Sequence, residues 1–458
     1  MAYSDLAPIR SLRTHDVFFM VVAAAAPLAA VVGNGALGVL LGNGAGMPSS
    51  YLIAGLVLIL FAVGFVRMSP HVQGGGAFYA YIRHGLGRYL GAAAAFVAIV
   101  VYLAMVIGSA AGFGFFAGLF ATENLGIDLP WWLWAGVVIL IVAVLGYREV
   151  ALGARLLSVL LVLEVMILVA LMIAVFSPSS SAPVSLDSFV APNIFSGSLG
   201  IGLMFAFVSF LGFESAAIYS DEARDGHVTV GRALVAAVVF ISVFYALAMW
   251  CVVCAFGADK VVAAAAENPG TLVFRAFAQY THPALLVAAE FLMATSALAA
   301  TVALHNAGSR YLFALGREGM LPAGLGRLHA RFQSPHVASL AVSCITLVAT
   351  ALFAACGADP LLTVLSSTFG LAALGIILLQ AVTSLSVIFF MSRSKGHTGA
   401  RLINLVIAVL ATAGLTSAAV LVLANYDTLT GDLGILNHAP WLIPLAALIG
   451  AAIAGKRA

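Results

Sequence analysis

The sequence predicts an all-α polytopic membrane protein, one domain of twelve transmembrane helices over residues 1–458, and three observations carry that prediction. Hydrophobic residues make up 63% of the chain and charged residues 8%, against roughly 25% charged in soluble domains. Apolar runs of about 20 residues, the length that crosses a bilayer, recur from end to end. With both termini in the cytoplasm, 18 of the 20 Lys and Arg fall on the inner face of those runs and only Lys260 and Arg275 outside. A miscounted helix would scramble this bias downstream of the error. The positive-inside rule therefore supports an even count, this orientation, and a multi-pass protein of the cell (inner or plasma) membrane.

The spans run over about 17–42, 48–69, 89–120, 131–147, 152–176, 197–220, 229–256, 281–314, 337–356, 361–391, 402–424 and 439–455. The first fifteen residues are polar and read as no cleavable signal peptide. The outer loops carry acids, among them Glu123, Asp128, Asp187 and Asp259, and Ser177 to Ser185 is a short external connector. In span 7, Cys251 and Cys254 form a CxxC with no second pair and no βαβ context, which reads as small core residues rather than a redox or metal site.

Span 6 is where the rest of the chain converges. Phe205 to Arg224 reads FAFVSFLGFESAAIYSDEAR: Gly212 interrupts the apolar run, and Ser209 and Glu214 place polar groups at membrane depth. A freed backbone group there is tolerated only beside protein or a wet cavity. A carboxylate such as Glu214 must be paired, solvated or protonated. The stretch is either a helix opened at a solute site or a Gly-kinked helix with a satisfied polar residue. Span 1 holds AAAAPLAAVVGNG (Ala23 to Gly35), an apolar run broken by Pro27. Each of these spans opens a set of five, about 12–176 and 197–391, with accessory helices at about 402–455 outside both. Five is odd, so the two halves have opposite orientation in the membrane. Gln73 to Gly87 after span 2 and Glu267 to Tyr280 after span 7 both read as amphipathic helices along an interface.

Five stretches in this order and spacing resemble the amino acid–polyamine–organocation (APC) superfamily of transporters: His15 to Ala29, Gln73 to Gly91, Ala151 to Glu164, Phe207 to Arg224 and Ser309 to Pro322. The resemblance implies a fold like that of the leucine transporter (LeuT), two inverted five-helix repeats with broken first and sixth helices, moving amino acids or amines with protons or by exchange.

It also implies site residues. The family's unwound Gly-Ser/Thr-Gly motif falls on Pro27, Leu28 and Ala29, with Ala30 following. This is a departure, because Pro27 has no N–H and the side chains of Leu28 and Ala29 narrow the approach of a substrate carboxylate. An opened helix and a plain proline kink both fit. Phe207, Val208, Ser209 and Phe210, next to Gly212 and Phe213, stand where the family offers carbonyls to a substrate ammonium. Phe210 is either an aromatic lid making a cation–π contact or core packing. Glu214 caps span 1 or braces an intracellular network. Glu164 stands where many relatives carry a lysine. Burial among leucine and valine disfavours its charged form. It is either a group that takes and releases a proton in each cycle or a permanently protonated, hydrogen-bonded carboxyl. Glu290 carries the same ambiguity. Thr295 and Ser296 line a cation site between spans 1 and 8, or bond their own helix. His305 and Asn306 join a gate or are structural, and Asp221, Glu222, Arg224, Arg310 and Arg317 look like the family's inner gate. Tyr102, Met105, Gly108 and Ser109 in span 3 form one wall.

The reading is a secondary transporter importing a small solute by alternating access, coupled to protons. The aliphatic lining favours a small neutral amino acid; the glycine-free span 1 motif leaves room for an amine without a carboxylate. Against a membrane enzyme, the chain has no HExxH pair and no GxSxG elbow. A channel needs a polar pore lining, and the cytoplasmic loops are too short for a sensor's output domain. No basic tract or motif points to nucleic acid, and no cofactor or ATP-binding motif is present.

Overall fold

The computed structural model describes residues 13–72, 78–148, 154–213, 227–393 and 398–455, and among them every regular element is helical. The first apolar run is split into α1 (Thr14–Ala24) and α2 (Pro27–Leu41). Then come α3 (Met47–Met68), α4 (Phe78–Leu86), α5 (Arg88–Leu125), α6 (Trp131–Arg148), α7 (Ala154–Val175) and α8 (Leu199–Ser209). The second part runs through α9 (His227–Phe256), α10 (Val261–Glu267), α11 (Leu272–Tyr280), α12 (Pro283–Arg317), α13 (His336–Ala355), α14 (Ser366–Arg393), α15 (Thr398–Ala424) and α16 (Leu442–Gly455).

Nine helices among the described residues are long and apolar enough to cross a membrane, and they fall on expected spans 2, 3, 4 and 7 to 12. Three shorter apolar helices, Pro27–Leu41, Val159–Val175 and Leu199–Ser209, lie at spans 1, 5 and 6. The chain is thus a multi-pass helical membrane protein. The two stretches expected to form amphipathic helices hold α4 and α11, although Gln73 to Ala77 lie outside the described residues. Asn268 starts the turn into α11 by accepting the Gly270 N–H at 3.0 Å.

In such a chain apolar surface alone does not choose partners, so close approach of small residues does. The α3–α9 contact is an instance: a Cβ on Gly55 would collide with Ser242 Oγ. α5 runs along α12 and α16, and α14 packs on α5 and α15. Of the interrupted elements, α1 packs on α9 and α7, α2 on α7, α12 and α8, and α8 on α3, α14 and α15. The end of α2 is stitched to the start of α8: the Asn43 amide donates to Ile194 O (3.1 Å), Ser196 Oγ to Asn43 O (2.9 Å) and the Ser198 N–H to Gly42 O (3.0 Å).

Candidate functional site

Proline decides the first interruption. Pro27 has no N–H to give the preceding turn, and its ring pushes Ala26 out of the right-handed helical region. Ala26 takes φ 44°, ψ 74°, left-handed backbone that costs an L-residue about 1–2 kcal/mol. The chain then restarts with Pro27 at the first helical position, where proline is favoured. The helix is therefore opened, with a residue of reversed hand between two separate helices. Ala30–Gly35 follows as a π-turn.

The opening frees backbone groups, and three different helices supply partners. The Tyr245 hydroxyl of α9 donates to Ala25 O at 2.9 Å, and the Tyr51 hydroxyl of α3 donates to Ala30 O at 2.9 Å. The Leu28 N–H donates to Glu164 Oε2 of α7 at 3.2 Å. Glu164 is only 5% exposed. Ser296 of α12 lies beside its carboxyl, buried and without a hydrogen bond of good geometry. The two tyrosine rings meet edge to face, 5.4 Å between centroids.

The second interruption is a run of tight turns over its described residues. Ser198 caps the start of α8 by accepting the Ile201 N–H. At the other end Phe210, Leu211 and Phe213 donate to Phe207 O, Val208 O and Phe210 O at 3.1, 3.1 and 3.3 Å, which replaces α-helix by tight turns. Gly212 sits at φ 97°, open to glycine and strained for anything else. A direct link joins the two interruptions: Asn34 Nδ2 of α2 donates to Ser209 Oγ at 3.1 Å, while that hydroxyl donates to Phe205 O at 2.7 Å.

Of the expected site residues, the structure brings Pro27, Leu28, Ala29 and Ala30 together with Ser209, Glu164 and Ser296. Phe207, Val208, Phe210 and Phe213 are buried at the second interruption; the Phe210 ring lies 6.3 Å from Tyr245 and Phe213 6.1 Å from Phe61. Others are engaged elsewhere. Thr295 bonds its own helix at Leu292 O, and Glu290 accepts from Asn124 at 2.7 Å. Ser109 pairs with Thr301, a Cβ on Gly108 would meet Thr368 and Phe369, and Met105 is core. The Tyr102 ring lies tilted against Tyr311, which neighbours Tyr79, whose hydroxyl reaches Glu318 Oε1 at 3.2 Å. Burial first, then the Glu318 charge, push the Tyr79 phenol up to about 12, so it donates as a neutral hydroxyl. His305 is buried and bonds Ser339 O and Ser343 Oγ. Arg317 lies over the Phe313 ring. Glu214, Asp221, Glu222 and Arg224 lie outside the described residues.

Sequence reasoning missed Asn34, Tyr51 and Tyr245. The signal was available: a tyrosine hydroxyl inside an apolar span needs a buried acceptor, and Tyr51 and Tyr245 lie within the expected spans 2 and 7.

A family model for amino acid permeases matches residues 12–449. The chain belongs to that family. This permease is 28% identical over 313 residues to a branched-chain amino acid permease of Lactococcus lactis, a match covering 63% of the chain and 64% of the relative. It is 22% identical over 345 residues to a branched-chain amino acid permease of Bacillus subtilis (68% and 69% covered). It is also 22% identical over 321 residues to a low-affinity putrescine importer of Escherichia coli K12 (66% of each). The chain spans less than two thirds of the Lactococcus relative's length. The family is one of transporters, not enzymes. Among the described residues no three His, Cys, Asp or Glu side chains gather as metal ligands.

Proposed function

We propose that this permease is a secondary transporter moving a small amino acid or the related amine by alternating access, with the solute held where α1–α2 and α8 are opened. The observation that carries this reading is the Asn34–Ser209 bond between the two interruptions, beside a buried carboxylate on the Leu28 N–H. Two opened helices facing each other beside an ionisable group are what a transporter needs to grip a solute inside a bilayer. In this reading the chain crosses the cell membrane twelve times as two inverted sets of five helices plus two, with both termini in the cytoplasm. The nine long and three shorter apolar helices fall on those twelve spans, which supports the count.

Glu164 is the coupling group. It is buried, it holds the opened backbone directly, and a change in its charge loosens or tightens that hold. The Glu164→Gln variant is expected to lose accumulation driven by a pH gradient while keeping part of its solute exchange. Proteoliposome uptake with and without an imposed gradient measures this, and unchanged accumulation removes Glu164 from the mechanism. The relatives are named for both solute classes, branched-chain amino acids and putrescine. A thermal-shift screen of both classes on the folded protein, followed by uptake of the hits, tests the function itself. Uptake of neither class overturns it.

A further inference from the structure

Resting on the transport reading, we propose that Glu164 fills from within the protein the place a substrate carboxylate would take, so that the solute is a small organic cation, an amine without a carboxylate. The start of α2 is a natural seat for an anion, because backbone donors there have no partner in their own helix. Pro27 contributes no donor, and the Leu28 N–H is already given to Glu164 Oε2 at 3.2 Å. The two carbonyls flanking the opening are taken up by Tyr245 and Tyr51, and the Asn34 amide is spent on Ser209. What the second interruption offers is acceptors: the carbonyls of Phe207, Val208 and Phe210 carry turn bonds, and a carbonyl oxygen has two lone pairs. Phe210 adds a phenyl face beside them. Acceptors, an aromatic ring and a carboxylate recognise an ammonium group; a second carboxylate finds the Leu28 N–H already taken and meets a like charge.

The carboxylate also wants a counter-ion. α7 packs against α12, α9, α1, α2 and α11. From α9 the titratable group facing Glu164 is Tyr245, and from α12 the neighbour is the Ser296 hydroxyl, which does not titrate. Glu290 and His305 of α12 are bonded to Asn124 and to Ser339 and Ser343, and Arg275 of α11 pairs with Glu267 at 2.8 Å. α2 brings no titratable side chain, and α1 carries its titratable His15 and Asp16 in its first turn. Among the described residues no cation reaches Glu164. An ammonium and a proton are then alternative partners for one carboxylate, so amine binding weakens as pH falls. A solute with its own carboxylate behaves oppositely: it needs Glu164 protonated to release the Leu28 N–H, and binds better as pH falls.

Matched pairs differing only by a carboxylate decide the matter: isobutylamine and valine, isoamylamine and leucine, putrescine and ornithine. Affinities are measured on the purified full chain at pH 5.5, 6.5 and 7.5 (a range of roughly neutral to mildly acid conditions in which these probes keep their charges). The amine of at least one pair is expected to bind at least about tenfold tighter than its amino acid and to weaken toward low pH. Glu164→Ala is expected to free the Leu28 N–H and reverse the ranking. Glu164→Gln, which keeps an oxygen on Leu28 but removes the charge, is expected to lower amine affinity about tenfold and flatten its pH dependence. Tighter binding of the amino acid, or amine binding that strengthens toward low pH, overturns this inference and leaves the transport reading standing. If neither member of any pair binds the folded protein, both fall.

Discussion

At the first interruption the loosened backbone is held by side chains from three other helices, and at the second, among the described residues, three N–H groups pair within tight turns. Ala25, Leu28 and Ala30 are served by Tyr245, Glu164 and Tyr51, residues between 21 and 220 positions away along the chain. Phe210, Leu211 and Phe213 are served by carbonyls three residues back, with Gly212 absorbing the reversal of hand. The difference follows from the breaking residue. Proline removes a donor and strands groups that only distant partners can reach; glycine merely permits a turn whose groups pair locally. The first interruption is therefore sensitive to how α3, α7 and α9 stand around it. Any movement of those helices, or any change of charge on Glu164, is felt in the backbone of α1–α2.

The strongest attack on this contrast removes both tyrosine hydroxyls. Tyr51→Phe with Tyr245→Phe leaves two buried carbonyls without their donors, at about 1–3 kcal/mol each. The double variant is expected to show the largest drop in melting temperature and to lose uptake. Melting at the parent temperature would mean that the first interruption does not depend on distant partners. Gly212→Ala tests the second interruption by putting a Cβ on left-handed backbone, at about 1–2 kcal/mol. A smaller drop in melting temperature is expected, with uptake reduced because the turn no longer closes freely. If it matches the tyrosine pair in cost, the two interruptions are equally brittle and the contrast fails. Ala26→Gly should do least. It relieves about 1–2 kcal/mol of left-handed strain and gives back about 0.5–1 kcal/mol through the freer unfolded chain. Near-parent stability with altered uptake is the expected result, and a marked loss of stability would show that Ala26 packs rather than merely turns.

Much of the architecture was legible beforehand because lipid is a severe solvent. The expected spans fall on the helical elements, and α4 and α11 appear where the Gly-led amphipathic stretches ask for them. At the candidate site legibility was uneven. Pro27 and Gly212 announced the interruptions, since each residue type has one dominant effect on backbone. Glu164 stood out as a carboxyl in an apolar run, but its partner did not, because the distance from residue 164 to residue 28 is set by packing and not by spacing. Glu290, Thr295 and Ser109 stood beside it as candidates in one dimension, as a second carboxyl, a cation-site hydroxyl and part of a wall. In three they turn to Asn124, Leu292 and Thr301.

By itself the amino-acid order determined that this chain lives in a membrane, where its helices run, and where two of those helices come apart. These are local properties, written in runs of apolar residues, in one proline and in one glycine. Only the tertiary structure decided which buried groups answer the backbone that comes loose, and that a carboxylate is among them. A hydrogen bond across 136 residues depends on how helices pack, and packing between apolar helices in lipid turns on small residues and shape that no single stretch of sequence contains.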